Sequence, residues 1–325
     1  MIERHIKPEV AAIFIDVARG RRGIYSDDAA FEELLAEAKA AFEAADPETV
    51  EIIRQFARAE VPDGGVLFHG LTVDQDDMGE SPRDPVAFEG KDRDPVTEAA
   101  LLAFASVAGE VFSFARQHRG ALIQNVAPIP GHEYDAVGTG SRSLLDWHSE
   151  DAFDDAPQFV GLFCVRGDER VQTALAPVDR IDLSAEDEAV LRQPRFMHGI
   201  DKASGGTGRP EDGVQGAALY GEDGKRFVRI DMDCAAAVTG DDEAAAALQA
   251  FHDGADKEGI YVTLGAGDIL LFDNRRVMHA RTPFEPRYDG TDRWLQRVII
   301  TDDLGRSADR RINHHRVVEN ELVGA

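Results

Sequence analysis

The sequence predicts a mainly β protein with flanking helices, its strands arranged as two sheets closed into a barrel. Short apolar or alternating runs at 159–165, 269–273, 276–282 and 293–301 are separated by turn residues. Helical periodicity is concentrated before residue 120, and no internal repeat or clear domain boundary interrupts the chain. The expectation is therefore one unit. Residues 1–120 form a mainly helical part packed on a core spanning 121–325, with an insert around 180–260.

Taken in order, Phe31, Leu34, Leu35, Ala38 and Phe42 follow helical spacing, and Ile52, Ile53 and Phe56 resume it after Asp46-Pro47. Helices are predicted from Phe31 to Ala59, with the proline in the first turn of the second. Gly64 to Leu71 reads as a strand closed by glycine, where His69 is a core or rim histidine rather than a ligand. Val73 to Pro95 is a long polar loop of the kind that forms lids or binding loops. A helix from Thr97 to about Gln117 and a strand from Gly120 to Val126 come next. Val137-Gly138-Thr139-Gly140-Ser141 lacks the lysine and the following helix of a phosphate cradle. Ser184 is a cap for a helix over Asp182 to Arg192. Asp201 to Gln215 is glycine-rich, Lys225 to Asp233 reads as a strand, and Ala235 to Ala237 and Glu243 to Gly254 read as helix.

The net charge of −26 argues against nucleic acid, whose phosphates require clustered Lys and Arg, but permits a cationic small molecule. No apolar run is long enough to span a bilayer, and Met1-Ile2-Glu3-Arg4 does not open a basic-then-apolar leader, so a cytoplasmic protein is expected. The 2 cysteines, Cys164 and Cys234, provide no disulfide framework.

Chemistry is concentrated at Trp147-His148-Ser149-Glu150. On a strand, residues two apart share a face, so His148 and Glu150 present an imidazole and a carboxylate side by side. Such a pair is also common as a solvated strand edge. With one distant histidine it becomes the two-His-one-carboxylate triad that holds non-haem Fe(II) with open positions. His279, in a later strand, is that histidine. Beyond it, Arg293 and Arg297 share one face of an otherwise apolar strand, where each guanidinium needs an anion. They either capture carboxylates, reach out to solvent or pair with the protein's own acidic residues.

These residues carry a family resemblance. His148-Ser149-Glu150, the turn Asp273-Asn274-Arg275, and His279-Ala280-Arg281-Thr282-Pro283-Phe284 running on to Asp292-Arg293-Trp294-Leu295 resemble clavaminate synthase and the free-amino-acid hydroxylases acting on L-arginine, L-lysine and L-asparagine. The resemblance implies a double-stranded β-helix (jelly-roll) core and Fe(II)/2-oxoglutarate-dependent hydroxylation using O2, with release of succinate and CO2. It implies iron ligation by His148, Glu150 and His279, pairing of the distal 2-oxoglutarate carboxylate with Arg293, and a contact of Thr173 with the cosubstrate. Arg297 would take the substrate carboxylate, and Gln117, or alternatively Gln124, would join Glu150 at its amino group. Related halogenases have Gly or Ala in place of the ligand carboxylate, so Glu150 implies hydroxylation.

Asp231 and Asp233 lie two apart, and unpaired carboxylates that close usually face water or a cation. In arginine-hydroxylating relatives an Asp-x-Asp here grips the guanidinium, and Asp201 is a further candidate. Asp233 reads equally as a helix cap. The implied substrate is a basic L-amino acid, arginine ahead of lysine, attacked at C3 or C4 because anchoring both ends leaves the middle nearest the iron. Desaturation or cyclisation on the same scaffold, a zinc hydrolase using the same three ligands, and a non-catalytic jelly-roll binder are the alternatives.

Overall fold

Alternation along the core strands determines the architecture. The computed structural model describes residues 1–88, 90, 93–150, 156–222, 225–311 and 316–319. Its strands are β1 (Ile2–His5), β2 (Gly65–His69), β3 (Glu110–Phe114), β4 (Gln124–Val126), β5 (Leu145–His148), β6 (Phe159–Arg166), β7 (Thr173–Pro177), β8 (Phe196–His198), β9 (Val214–Gly216), β10 (Leu219–Tyr220), β11 (Phe227–Val228) and β12 (Ala235–Ala237). The last five are β13 (Ile260–Val262), β14 (Ile269–Asp273), β15 (Val277–Arg281), β16 (Trp294–Thr301) and β17 (Val317–Val318). The helices are α1 (Pro8–Ala18), α2 (Asp28–Ala45), α3 (Pro47–Ala57), α4 (Gln75–Met78), α5 (Val96–Ala108), α6 (Ala185–Leu191) and α7 (Asp242–Glu258).

An eight-stranded sheet, in the order β1-β2-β14-β6-β16-β3-β17 with β4 also on β16, faces a four-stranded sheet, β13-β7-β15-β5. Leu162, Cys164, Leu270, Phe272, Leu295 and Ile299 of the larger sheet meet Leu175 and Val277 of the smaller one between the two layers. The intervening residues Phe163, Val165, Ile269, Leu271, Val298 and Ile300 point the other way, onto the core shared with α1, α2, α3 and α5. On the smaller sheet Ala174, Ala176, Met278 and Ala280 pack outward against Val190, Leu191, Ala247 and Phe251 of the 180–260 segment. Both outer faces are thus covered, which is why these strands read as nearly continuous apolar runs. The core is the expected jelly roll.

Local chemistry explains most element ends. Asp46 closes α2 and then accepts the Thr49 amide (3.1 Å), with Pro47 in the first turn of α3. Ser184 caps α6 through the Asp187 amide (3.0 Å), as expected. Several expectations are corrected. The helix predicted to run to Gln117 ends at Ala108, and the chain turns into β3 after Gly109. A Cβ at Gly109 would lie 2.4 Å from the Thr301 carbonyl oxygen, so only glycine allows this approach to β16. The strand read over Lys225 to Asp233 contracts to β11 and a lone bridge between Asp231 and His148. Ala235–Ala237 is a strand paired with β8, not a helix. The strand starting at Gly120 begins only at Gln124, after a tight turn. The loop at 73–95 carries the short helix α4, capped by Asp74. Helix α1 and strand β1 were not anticipated.

A buried ion pair ties the helical layer to β16. The Glu98 carboxylate, fully buried on α5, pairs with Arg93 and accepts from the Tyr25 hydroxyl (2.7 Å) and the Gln296 amide (2.8 Å). Burial alone would raise the Glu98 pKa, but the Arg93 guanidinium more than offsets this and holds it below 4.5. A depressed acid stabilises the fold fully above its unfolded pKa and loses that contribution as pH falls through the folded value. Glu98→Gln is expected to cost about 3–5 kcal/mol in urea unfolding at neutral pH. The deficit relative to the parent should shrink in acid; an equal deficit at low pH would contradict the assignment.

Candidate active site

The smaller sheet delivers two histidines to one point. In the register of β15 on β5, His279 lies directly opposite His148, and their ring centroids are 3.9 Å apart. His148 Nδ1 donates to the Asp146 carbonyl (2.7 Å), because a carbonyl can only accept, and this makes Nε2 the ring nitrogen available to a metal. Glu150 lies just beyond the end of β5. Its backbone is held by Asn274, which accepts the Glu150 amide (2.7 Å) and donates to the Glu150 carbonyl (3.0 Å) and to that of Pro157 (3.0 Å). Residues 151–155, which follow Glu150, lie outside the described residues. Glu150 Oε1 is 3.4 Å from His279 Nε2, and one ligand atom from each of the three residues falls within 4.8 Å of the others.

The electrostatics favour a cation. Glu150 is buried, which alone would raise its pKa, but Arg297 and His279 pull it far below the usual carboxylate range. Burial, with His148 alongside, pushes the His279 pKa down to about 4, so its imidazole is neutral and free to bind metal. Two imidazoles and one ionised carboxylate form a donor set that fits Fe(II).

Two cavities meet at the triad. The first, about 500 Å³, has Thr173, His279, Arg281, Arg293 and Arg297 on its wall. Arg293 is buried, its pKa lowered by burial, and it donates to the Thr173 hydroxyl (3.0 Å). The second cavity, about 750 Å³, is bordered by Gln117, His148, Glu150, Asp201, Asp231 and Arg297. Arg297 therefore faces both; it pairs with Glu150 and donates from Nε to Gln124 (3.0 Å). Gln117 donates to the Ser204 hydroxyl (2.9 Å), and Asp201 accepts the Ser204 amide (2.9 Å). Burial raises the Asp231 pKa to about 6, with Asp201 and Asp233 adding to the effect. Asp233 does not border the cavity; its carboxylate accepts the Asp146 amide (2.9 Å).

The pattern of the taurine catabolism dioxygenase TauD/TfdA family matches residues 213–299. Over 261 residues the chain is 35% identical to the L-asparagine oxygenase of Streptomyces coelicolor, covering 79% of this chain and 76% of that protein. Clavaminate synthase 2 of Streptomyces clavuligerus is 34% identical over 249 residues, 74% of this chain and 75% of its own length. The chain belongs to the Fe(II)/2-oxoglutarate amino-acid oxygenases of this family. In structure, the non-haem iron oxygenase OrfP in complex with Fe, succinate and (3S)-hydroxy-L-Arg superposes on it with a TM-score of 0.85. That match is at 29% identity and covers 98% of this chain and 100% of the other.

Membership sets aside the zinc-hydrolase and non-catalytic alternatives for this oxygenase. No helix among its described residues is long and apolar enough to cross a membrane. The structure also shows residues to which the sequence assigned no role. Asn274 brackets the Glu150 backbone, and Asp146 orients His148 through its carbonyl while its carboxylate receives His252 Nε2 (3.0 Å). Asn274 stands in the Asp273-Asn274-Arg275 motif, so a signal for it was present. Asp146 had none, because its contact with His148 is made by backbone.

Proposed function

We propose that this oxygenase hydroxylates an unactivated C–H bond, at C3 or C4, of a free basic L-amino acid, with L-arginine ahead of L-lysine. One observation carries the substrate reading. Asp231 and Asp201 border the cavity that Arg297 also faces, and neither carboxylate has a cationic side-chain partner among the described residues. A ligand with a carboxylate at one end and a cation at the other complements those charges. The bound arginine product in the OrfP structure supports a guanidinium, and the relationship to L-asparagine oxygenase favours a second reading, in which a side-chain amide donates to Asp231.

In this reading His148 Nε2, Glu150 and His279 Nε2 hold Fe(II), and Arg293 with Thr173 receives the distal carboxylate of 2-oxoglutarate. Iron held there would supply the coupling of oxidative decarboxylation of 2-oxoglutarate by O2, with release of succinate and CO2, to insertion of one oxygen atom into the C–H bond. The protein's own work is positioning. Arg297, held by Gln124, orients the amino-acid carboxylate. Gln117 and Glu150 flank its amino group, and Asp231 with Asp201 draws the side chain across the cavity. Fixing both ends leaves the middle carbons toward the triad. Asp233 serves through Asp146, the residue that orients His148.

Succinate release screened over the free L-amino acids, ornithine and citrulline tests the proposal. Turnover is expected with L-Arg or L-Lys and little with D-isomers. Preferred turnover of L-asparagine would move the assignment to the amide reading. An anaerobic Fe(II) and 2-oxoglutarate titration should give the visible charge-transfer band of an iron–keto-acid chelate, and its absence would remove the cosubstrate assignment.

A further inference from the structure

We propose that Arg281 is a second guanidinium for the distal carboxylate of the keto acid, acting beside Arg293 from the opposite sheet. The inference rests on the 2-oxoglutarate reading above. Along β15, Met278 and Ala280 pack outward, so Arg281 faces inward with His279. The register of β15 on β7 sets Arg281 opposite Thr173, the residue whose hydroxyl receives Arg293. All four border the same cavity of about 500 Å³.

Both guanidiniums are buried, Arg281 at 4% exposure and Arg293 at 7%. Neither has a carboxylate within ion-pair distance among the described residues. The two carboxylates that act on them from further off are committed elsewhere: Asp233 to the Asp146 amide, and Asp168 to Arg170 and Arg287. Burial, with Arg293 as a like charge, lowers the Arg281 pKa to about 10. Two buried cations in mutual repulsion are costly unless an anion joins them.

The known contacts of Arg281 do not use all of its donors. Nη1 donates to the carbonyls of Ser141 (2.8 Å), Ser143 (3.0 Å) and Thr282 (3.3 Å), which braces the 141–143 loop on β15. Nη2 is buried with no hydrogen-bond partner. A brace needs Nη1 alone. A carboxylate placed between the two arginines would satisfy Nη2 and balance the local charge.

The test is anaerobic binding to the Fe(II)-loaded protein, comparing 2-oxoglutarate with 2-oxobutyrate, which has the same keto-acid head and no distal carboxylate. Arg281→Met should weaken 2-oxoglutarate by roughly 10- to 100-fold and leave 2-oxobutyrate nearly unchanged, with Arg281→Lys restoring much of the loss. Binding of 2-oxobutyrate and the circular dichroism spectrum report that each variant is folded. Equal weakening of both keto acids would assign Arg281 to the brace alone and overturn the proposal. Unchanged affinity for 2-oxoglutarate would overturn it too. A parent protein that shows no preference for 2-oxoglutarate over 2-oxobutyrate would instead overturn the cosubstrate reading, and this inference with it.

Discussion

His279→Ala is expected to remove tight Fe(II) binding and to lower keto-acid-dependent turnover by more than about 100-fold, the upper end of what loss of an outer partner to a ligand costs. Only His148 and Glu150 would remain, and Glu150 already shares its charge with Arg297. The fold should survive. The inner neighbours Leu175, Phe272 and Val277 belong to the core between the sheets, and the His279 Nδ1 atom makes no hydrogen bond whose loss would strand a partner. Some stability is still lost to the cavity left behind, in the range of a few kcal/mol. Anaerobic metal titration alongside thermal unfolding separates the two effects. Iron affinity equal to that of the parent protein would eliminate His279 as a ligand.

Asp231→Asn should lower kcat/KM for the basic substrate by roughly 30- to 140-fold, corresponding to about 2–3 kcal/mol for truncating one side of a desolvated charge pair. Asparagine keeps the side-chain oxygen that accepts the Asp233 amide (3.0 Å), so the turn after the bridge to His148 should persist. The effect should be specific to charge. An uncharged amino acid that turns over slowly in the parent should lose much less, and metal affinity should hold. Parallel loss for charged and uncharged substrates would mean that Asp231 matters only through His148.

The triad was legible because its chemistry restricts residue types. Few patterns combine an early His-x-Glu, a late His and two in-phase arginines, and the β16 alternation placed Arg293 and Arg297 on one wall despite the irregular pairing at Trp294. What failed was local propensity under tertiary control. Three alanines at 235–237 favour helix, yet pairing with Phe196–His198 makes them a strand. The helix that starts at Val96 was read past its end because the stop at Gly109 is set by the approach of Thr301, a residue distant in sequence. Of the two readings open to Asp233, gripping the substrate beside Asp231 requires a continuous strand and capping requires a helix, and neither element forms there. The turn over 232–234 sends the second carboxylate to the Asp146 backbone.

One oxygen, Glu150 Oε1, lies against both Arg297 and His279. Charge drawn from it by an occupant of the triad is charge withdrawn from the guanidinium, which then has more to offer an incoming carboxylate. By thermodynamic reciprocity, an amino acid seated on Arg297 as proposed would tighten the hold on the ion. If both bind as proposed, loading of the centre and capture of the molecule to be oxidised would be cooperative through a single shared atom.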